Sequence, residues 1–280
     1  MKPIGTSILN LGRVVALPLV GLALAAPVSA QDDEDNPFLE EIVVIETKSR
    51  GEQDVMDVPV AITAITGAVI EEGALKDMFD LQQNVPGLIV GRSQTATTSN
   101  FSIRGVGSTS NNFGVESSVG LYVDGVYRSR QSSIINELID VRTVSVLRGP
   151  QGTLFGKNTA SGAINITTVA PNFDSNDAFV EVTTGNYGLV RVSGAANIIL
   201  TDNLAFRGTA FSSQRDGYVA EDNFQGFFSQ PGRIEDAYND RDRMGLRMQV
   251  AYDNQDDFDM RVIADYSKID EACCVALSRV

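Results

Sequence analysis

Two rhythms of apolar and polar residues divide this chain. Between about residues 57 and 170, short β-branched runs are broken by glycine-rich turns; between about 178 and 266, apolar and polar residues alternate one by one. The run from Ile139 to Gly156 starts as a β-branched strand and breaks at Arg148-Gly149-Pro150. Val141, Thr143, Ser145 and Leu147 share one parity and Val144 and Val146 the other, so this strand is expected to be covered on both faces. Asn100 to Gly105 is a shorter strand, Tyr122-Val123-Asp124-Gly125-Val126 a hairpin with a type I′ turn, and Ala163 to Thr168 a last strand after Gly162. Upstream, Val60 to Ile65 forms a short strand. Val69 and Ile70 make one apolar helical turn that Gly73 stops. Leu75, Met78, Phe79 and Leu81 repeat at roughly helical spacing until Val85-Pro86-Gly87, because the residue before proline avoids helical dihedrals. The expectation is an α+β domain: a small mixed sheet with short helices and long polar loops.

The second rhythm has another meaning. Met244, Leu246, Met248, Val250 and Tyr252 share a parity against Arg247 and Gln249, and Phe258, Met260, Val262, Ala264 and Tyr266 oppose Asp259, Arg261 and Asp265. Val180 and Val182 against Glu181, Val190, Val192 and Ile198 against Arg191 and Asn197, and Leu204, Phe206 and Ala210 against Arg207 and Thr209 continue the pattern. Segments of about 10 residues, apolar on one face and charged on the other, mark an antiparallel transmembrane β-barrel, with about five strands in residues 171–280. Five strands cannot close a barrel, and lipid offers no partner to an open edge. The barrel is therefore expected to be incomplete in this chain, the front of a longer one ending in an outer loop. Thr201-Asp202-Asn203 and Asn254 to Asp257 are short turns that belong on the periplasmic side; the long link from about Gln214 to Arg243 belongs outside, with the short Gly185 to Gly188 turn. The rival is a soluble sandwich whose apolar faces meet each other.

Composition narrows the chemistry. The chain has 280 residues, a formal net charge of −14 and no histidine. Acidity argues against nucleic acid as a partner. Without histidine, the Ser-His and Cys-His nucleophile pairs and the commonest zinc ligand are gone, and no close carboxylate pair is legible. No catalytic residue, metal site or cofactor is expected, and the chain is not expected to be an enzyme. Gly156-Lys157 is no phosphate cradle, since Gln151 and Asn158 stand where a P-loop needs glycine and serine or threonine. Cys273-Cys274 lies past the fifth strand, where an oxidising exterior permits bonds to each other or to partners further on. Residues 1–30 read as an export signal: Lys2 and Arg13 precede and enter an apolar stretch too short to span a bilayer, and Val28-Ser29-Ala30 sets cleavage between Ala30 and Gln31. An acidic tail follows from Gln31 to Pro37, then the β-branched run Ile42-Val43-Val44-Ile45, a suitable strand for another protein's sheet edge.

Phe101-Ser102-Ile103-Arg104-Gly105, the Tyr122 to Val126 hairpin, Val144 to Gly152 and Gly162 to Ile166 resemble, in order, the plug domain of TonB-dependent outer-membrane receptors; the resemblance covers roughly residues 40–170. It implies a flexible tail over 31–48, a plug over 49–170 and barrel strands from 171. Glu41, Ile42, Val43, Val44, Ile45, Glu46 and Thr47 are similar to the TonB box that the energised inner-membrane partner TonB pulls, with Ile45-Glu46 where the family more often has Thr-Ala; the alternative is the plug's first strand. By the same resemblance Arg104 and Arg148 are plug latches for barrel acids. Ser93, Gln94, Thr95, Ser108, Asn111, Asn112 and Phe113 are ligand-facing loop residues. The implied activity is active import across the bacterial outer membrane, in contact with its lipid, of a small molecule such as a ferric siderophore, with cobalamin or a glycan as rival cargoes. A soluble periplasmic binding module is the alternative from another class. A signalling transducer is disfavoured, since Gln31 to Glu40 leaves no room for an extra folded domain.

Overall fold

The computed structural model describes residues 44–47, 51–54, 60–93, 95–108, 116–130, 137–219 and 238–272, all within one compact unit. The export signal with Ala30 and Gln31, and also Glu41, Ile42, Val43, Gln94, Asn111, Asn112, Phe113 and Cys273-Cys274, lie outside the described residues.

The first described elements are β1 (Val44–Thr47) and β2 (Gly51–Asp54), an antiparallel pair. β3 (Ala61–Thr66) leads directly into α1 (Gly67–Glu72). The Thr66 hydroxyl caps α1 by accepting the Val69 N–H at 3.4 Å, and Gly73 ends it. α2 (Met78–Leu81) is capped by Asp77, whose Oδ1 accepts the N–H groups of Phe79 and Asp80 at 2.9 and 3.2 Å. Side-chain oxygens at such positions satisfy the orphan donors of a helix start. There follow β4 (Leu88–Ser93), β5 (Thr95–Ile103), β6 (Val106–Gly107), β7 (Val119–Val123), β8 (Val126–Tyr127), β9 (Val141–Arg148), α3 (Gly152–Phe155) and β10 (Gly162–Thr168). β4, β5 and β6 form one sheet, and the second has the order β3-β9-β10-β7-β8. Only β10 with β7 is parallel in that second sheet, so it is mixed, as expected.

β9 occupies an interior place and is covered on both faces, in the way its two apolar parities required. Val144 and Val146 enter the main core with Ile164, Leu121, Phe101, Ile103 and Met78. Leu147 joins Tyr122 and Ala163 on the opposite side, under Val60, Ile62 and Phe155. Asp124 and Gly125 have φ of 48° and 74°, the left-handed pair a type I′ turn needs. The same conformation recurs at Arg104 and Gly105, φ 54° and 76°, which join β5 to β6. What reads in the sequence as a strand ending in glycine is a second tight hairpin.

The remaining strands, β11 (Asp177–Gly185), β12 (Leu189–Thr201), β13 (Leu204–Arg215), β14 (Arg241–Asp253) and β15 (Asp259–Ile269), form an antiparallel meander in chain order. Its alternation is inverted relative to a soluble protein. Val180 is 77% exposed, and Val192, Met244, Leu246, Met248, Met260 and Val262 also face outward. Arg191, Ser193, Asn197, Arg207, Thr209, Arg243 and Gln249 are buried against the globular domain. A soluble sandwich would bury the first set, and here it stands uncovered. Among the described residues this wall is open, with β11 and β15 as its edges.

The wall has two unlike ends. At one, Asp202-Asn203 turns β12 into β13, and the Asn203 side chain donates to the Asp253 carbonyl at 2.6 Å, tying this turn to the end of β14. At the other, the short turn after β11 is held by the Asp216 N–H donating to the Tyr187 carbonyl at 2.8 Å. Exposed aromatic pairs sit at both, Tyr252 with Phe258 and Tyr187 with Tyr218, at centroid distances of 6.2 and 5.8 Å. An apolar band flanked by aromatic residues is the outer surface of a membrane barrel.

Candidate functional site

The inward face of the wall carries arginines, and arginine out of water needs a carboxylate. The globular domain supplies them from two places: Asp77, at the start of α2, and the short buried segment Glu137-Leu138-Ile139-Asp140 that enters β9. Alternation along the wall strands turns Arg191, Arg207 and Arg243 inward, while the apolar Leu138 and Ile139 seat the two acids that bracket them.

Asp140 makes the most saturated contact. Its two oxygens accept from Arg207 Nε and Nη2 at 2.8 and 2.6 Å, and Thr209 Oγ1 donates to Oδ2 at 2.8 Å. Such a two-pronged pair is stronger and more directional than a single hydrogen bond. Asp140 itself adopts φ 55°, a left-handed conformation that Asp and Asn tolerate best among non-glycine residues. Its backbone carbonyl meanwhile accepts the Val169 N–H at 3.0 Å.

The other contacts run together as a relay of alternating charge. Lys76 meets Glu181 at 2.8 Å, Glu181 meets Arg191 at 3.0 Å, and Arg191 meets Glu137 at 2.9 Å. Arg241 reaches Glu137 at 3.6 Å and Asp77 at 3.0 Å; Arg243 reaches Asp77 at 3.6 Å and Glu271 by a close Nε contact; Arg92 meets Glu271 at 3.2 Å. Asp77 therefore caps α2 with one oxygen and holds wall arginines with the other. Burial pushes the Glu137 carboxyl above the usual carboxylate range, against the opposing pull of Arg191 and Arg241. Burial, then the neighbouring Arg243, lowers the pKa of Arg92.

A second, more open set of contacts lies toward β15. Arg128 and Arg247 share Asp265 at 2.8 and 2.7 Å, and Arg261 meets Asp124 at 3.0 Å. Asp124 also accepts the Thr168 N–H at 2.9 Å.

The expected site residues fall as follows. Arg104 occupies the exposed β5–β6 turn; Arg148 ends β9 with its Nε buried and without a hydrogen-bond partner among the described residues. Neither makes an ion pair with these five strands, and the observed plug-to-wall pairs mostly run the other way, acid on the globular domain and arginine on the wall. Val44 to Thr47 form β1, already paired with β2. Ser93 and Thr95 flank the β4–β5 turn. Ser108 draws its loop together, donating to the Glu116 carbonyl at 3.0 Å and accepting the Ser118 N–H at 2.8 Å. Reading the sequence missed Asp77, Glu137 and Asp140. The one signal for them was indirect, since inward arginines on the wall strands demand acids opposite.

Comparison with known proteins agrees with this architecture. Residues 54–163 match the TonB-dependent Receptor Plug Domain. The chain is 32% identical over 164 residues to the pesticin receptor of Yersinia pestis, covering 59% of this chain and 24% of that protein. It is 29% identical over 158 residues to the catecholate siderophore receptor Fiu of Escherichia coli K12, covering 53% and 19%. The crystal structure of the ferric yersiniabactin uptake receptor FyuA from Yersinia pestis superposes with a TM-score of 0.65 at 25% identity, over 74% of this chain and 31% of that one. The chain thus spans about a quarter or less of the length of these curated relatives.

Proposed function

We propose that this chain, which belongs to the TonB-dependent receptors, acts in active import of a ferric siderophore across the bacterial outer membrane. The observation that carries the reading is the division of labour at the junction: a sheet apolar outside and arginine-rich inside, gripping the acids of a globular stopper. Such a wall suits lipid on one face and a plugged lumen on the other. In this reading residues 1–30 are removed between Ala30 and Gln31, 31–48 is the tail, 49–170 the plug and 171–280 barrel wall. The plug and tail face the periplasm, and the 216–240 link faces outside.

The box, Glu41 to Thr47, offers its backbone to TonB by strand addition, which draws affinity from main-chain hydrogen bonds. The extended backbone of Val44–Thr47 suits that role, and β2 occupies one of its edges. Arg104 and Arg148 remain latches for acids of the barrel. In favour of Arg104 is its left-handed backbone, which Gly or Asn would hold at less cost, so its guanidinium has a reason to be there. Ser93, Thr95 and Ser108, with Gln94, Asn111, Asn112 and Phe113, face the ligand.

Deleting the gene in its own organism tests the reading. Uptake of radioactive iron from ferric siderophores should fall in the deletion strain and in a strain lacking TonB, and Ile45→Pro should lower it without changing the amount of receptor in the outer membrane. Undiminished iron uptake in the deletion strain, or loss of cobalamin or glycan uptake in its place, would overturn the siderophore cargo.

A further inference from the structure

Residues 169–176 carry the chain from the plug's last strand, β10, to the wall's first, β11, and the wall grips them on the way. Val169 is the crossing point. Its N–H donates to the Asp140 carbonyl of the plug at 3.0 Å, and its own carbonyl accepts from Gln249 Nε2 of β14 at 2.9 Å. Gln249 is fully buried, and its Oε1 accepts from Arg261 Nε of β15 at 2.9 Å, which holds the amide in place.

Three residues further on, Asn172 and Asn197 of β12 form a reciprocal pair. The Asn172 N–H donates to Asn197 Oδ1 at 3.0 Å, while Asn197 Nδ2 donates to the Asn172 carbonyl at 3.1 Å and to the Ser175 carbonyl at 2.8 Å. Asn197 is 1% exposed, so little water reaches it to compete for these bonds. The Ile199 N–H, also on β12, donates to Asn176 Oδ1 at 2.7 Å. Asn197 stands on a strand laddered on both sides, between β11 and β13, and Gln249 on one between β13 and β15. The grip therefore comes from stiff parts of the wall. Two buried amide side chains on different strands are more than a passive linker needs.

We propose that the 169–176 segment is a stop for mechanical unravelling: tension on the tail can draw out the plug as far as Thr168 and ends at Val169, with Asn197 and Gln249 as positioning residues. This rests on the reading above that the tail is pulled from the periplasm, and adds where the pull ends. Beyond the segment lies β11, and without the stop the same tension would reach its first pairs, Asp177 with Asn197 and Ala178 with Ala196. With the stop, the wall is spared, and β10 re-forms from a fixed end when tension lapses.

The test pulls the whole receptor, held in a lipid bilayer, by a handle attached at residue 48. Force–extension traces of the unaltered receptor should halt after about 400 Å, the reach of roughly 120 residues at about 3.3–3.6 Å each, before any wall strand leaves. In Asn197→Ala with Gln249→Ala the halt should be lost, and lengthening should run on through the segment and β11 by roughly 60 Å. Asn203→Ala removes a contact at the same end of the wall but none to the segment, and should leave the halt in place. The plug's own unfolding peaks, present in all three receptors, show that each is folded. An unchanged halt in the double variant, or continuous lengthening past Val169 in the unaltered receptor, overturns the stop. Either result leaves the import reading to the iron-uptake experiment.

Discussion

Asp140 holds wall and plug together through three hydrogen bonds from two side chains, with Arg207 and Asp140 both shut away from water. Asp140→Asn keeps the left-handed backbone and most of the shape but removes the charge, so Arg207 loses its main counterion. Breaking a buried pair costs roughly 3–5 kcal/mol. The lower end applies, because the half-exposed Asp177 still reaches Arg207 at 3.3 Å. A drop of about 3 kcal/mol in the urea unfolding free energy of the plug–wall contact is expected. Glu137 behaves oppositely. Burial raises its pKa above the unfolded value, so its contribution to stability is full below the unfolded pKa, about 4.3, and is lost as pH rises through the raised folded value. Relative to the parent, Glu137→Gln should therefore fare better at pH 7 than at pH 4, set against the cost of leaving buried Arg191 with only the half-exposed Glu181. Melting curves across that window decide it.

At the level of elements, the wall strands are specified by parity and by close approach. Gly245 on β14 stands opposite Phe211 on β13, and a Cβ there would come within 2.2 Å of the Phe211 ring. Gly245→Ala should destabilise by about 1–3 kcal/mol, the usual penalty of overpacking. Adding Phe211→Leu should recover much of it, read from thermal migration shifts on a gel. Val192 lies on the outer parity of β12 between inward Arg191 and Ser193. Val192→Arg should cost roughly 2–4 kcal/mol if that position lies near the bilayer midplane, measured as the folding equilibrium into vesicles, whereas an inward change such as Ser193→Thr should leave insertion intact. A soluble wall would reverse that ranking.

Over the whole molecule, two grades of ion pair join plug to wall. Those of the Glu137–Asp140 segment are buried, whereas Arg128 with Asp265 is about 30% exposed on both sides, and Arg261 is open over Asp124. Salt screens exposed charges, with a Debye length of about 10 Å at 0.1 M and about 3 Å at 1 M, and barely touches buried ones. Raising sodium chloride across that range should therefore quicken amide exchange in β7 and β8 while leaving β9 protected. Equal exchange in both would remove the distinction between a firm side and a yielding side of the plug.

Local rules decided much of this protein from sequence alone. The two-sided cover of β9, the Asp124-Gly125 turn, the Gly73 stop of α1 and the outward apolar parity of β11 to β15 all follow from residues that are near neighbours in the chain, because period and turn chemistry act over a few positions. The Arg104-Gly105 hairpin escaped that reading, since arginine is not a residue that signals a left-handed turn. Tertiary structure alone decided which acid meets which arginine. Asp140 and Arg207 are 67 positions apart, and Asp77 and Arg241 are 164 apart. Their meeting depends on how one sheet seats against another domain, and each strand's pattern shows that its arginine points inward without showing what stands opposite. A charge moved out of water finds its partner by position in space, and the chain writes only position along itself.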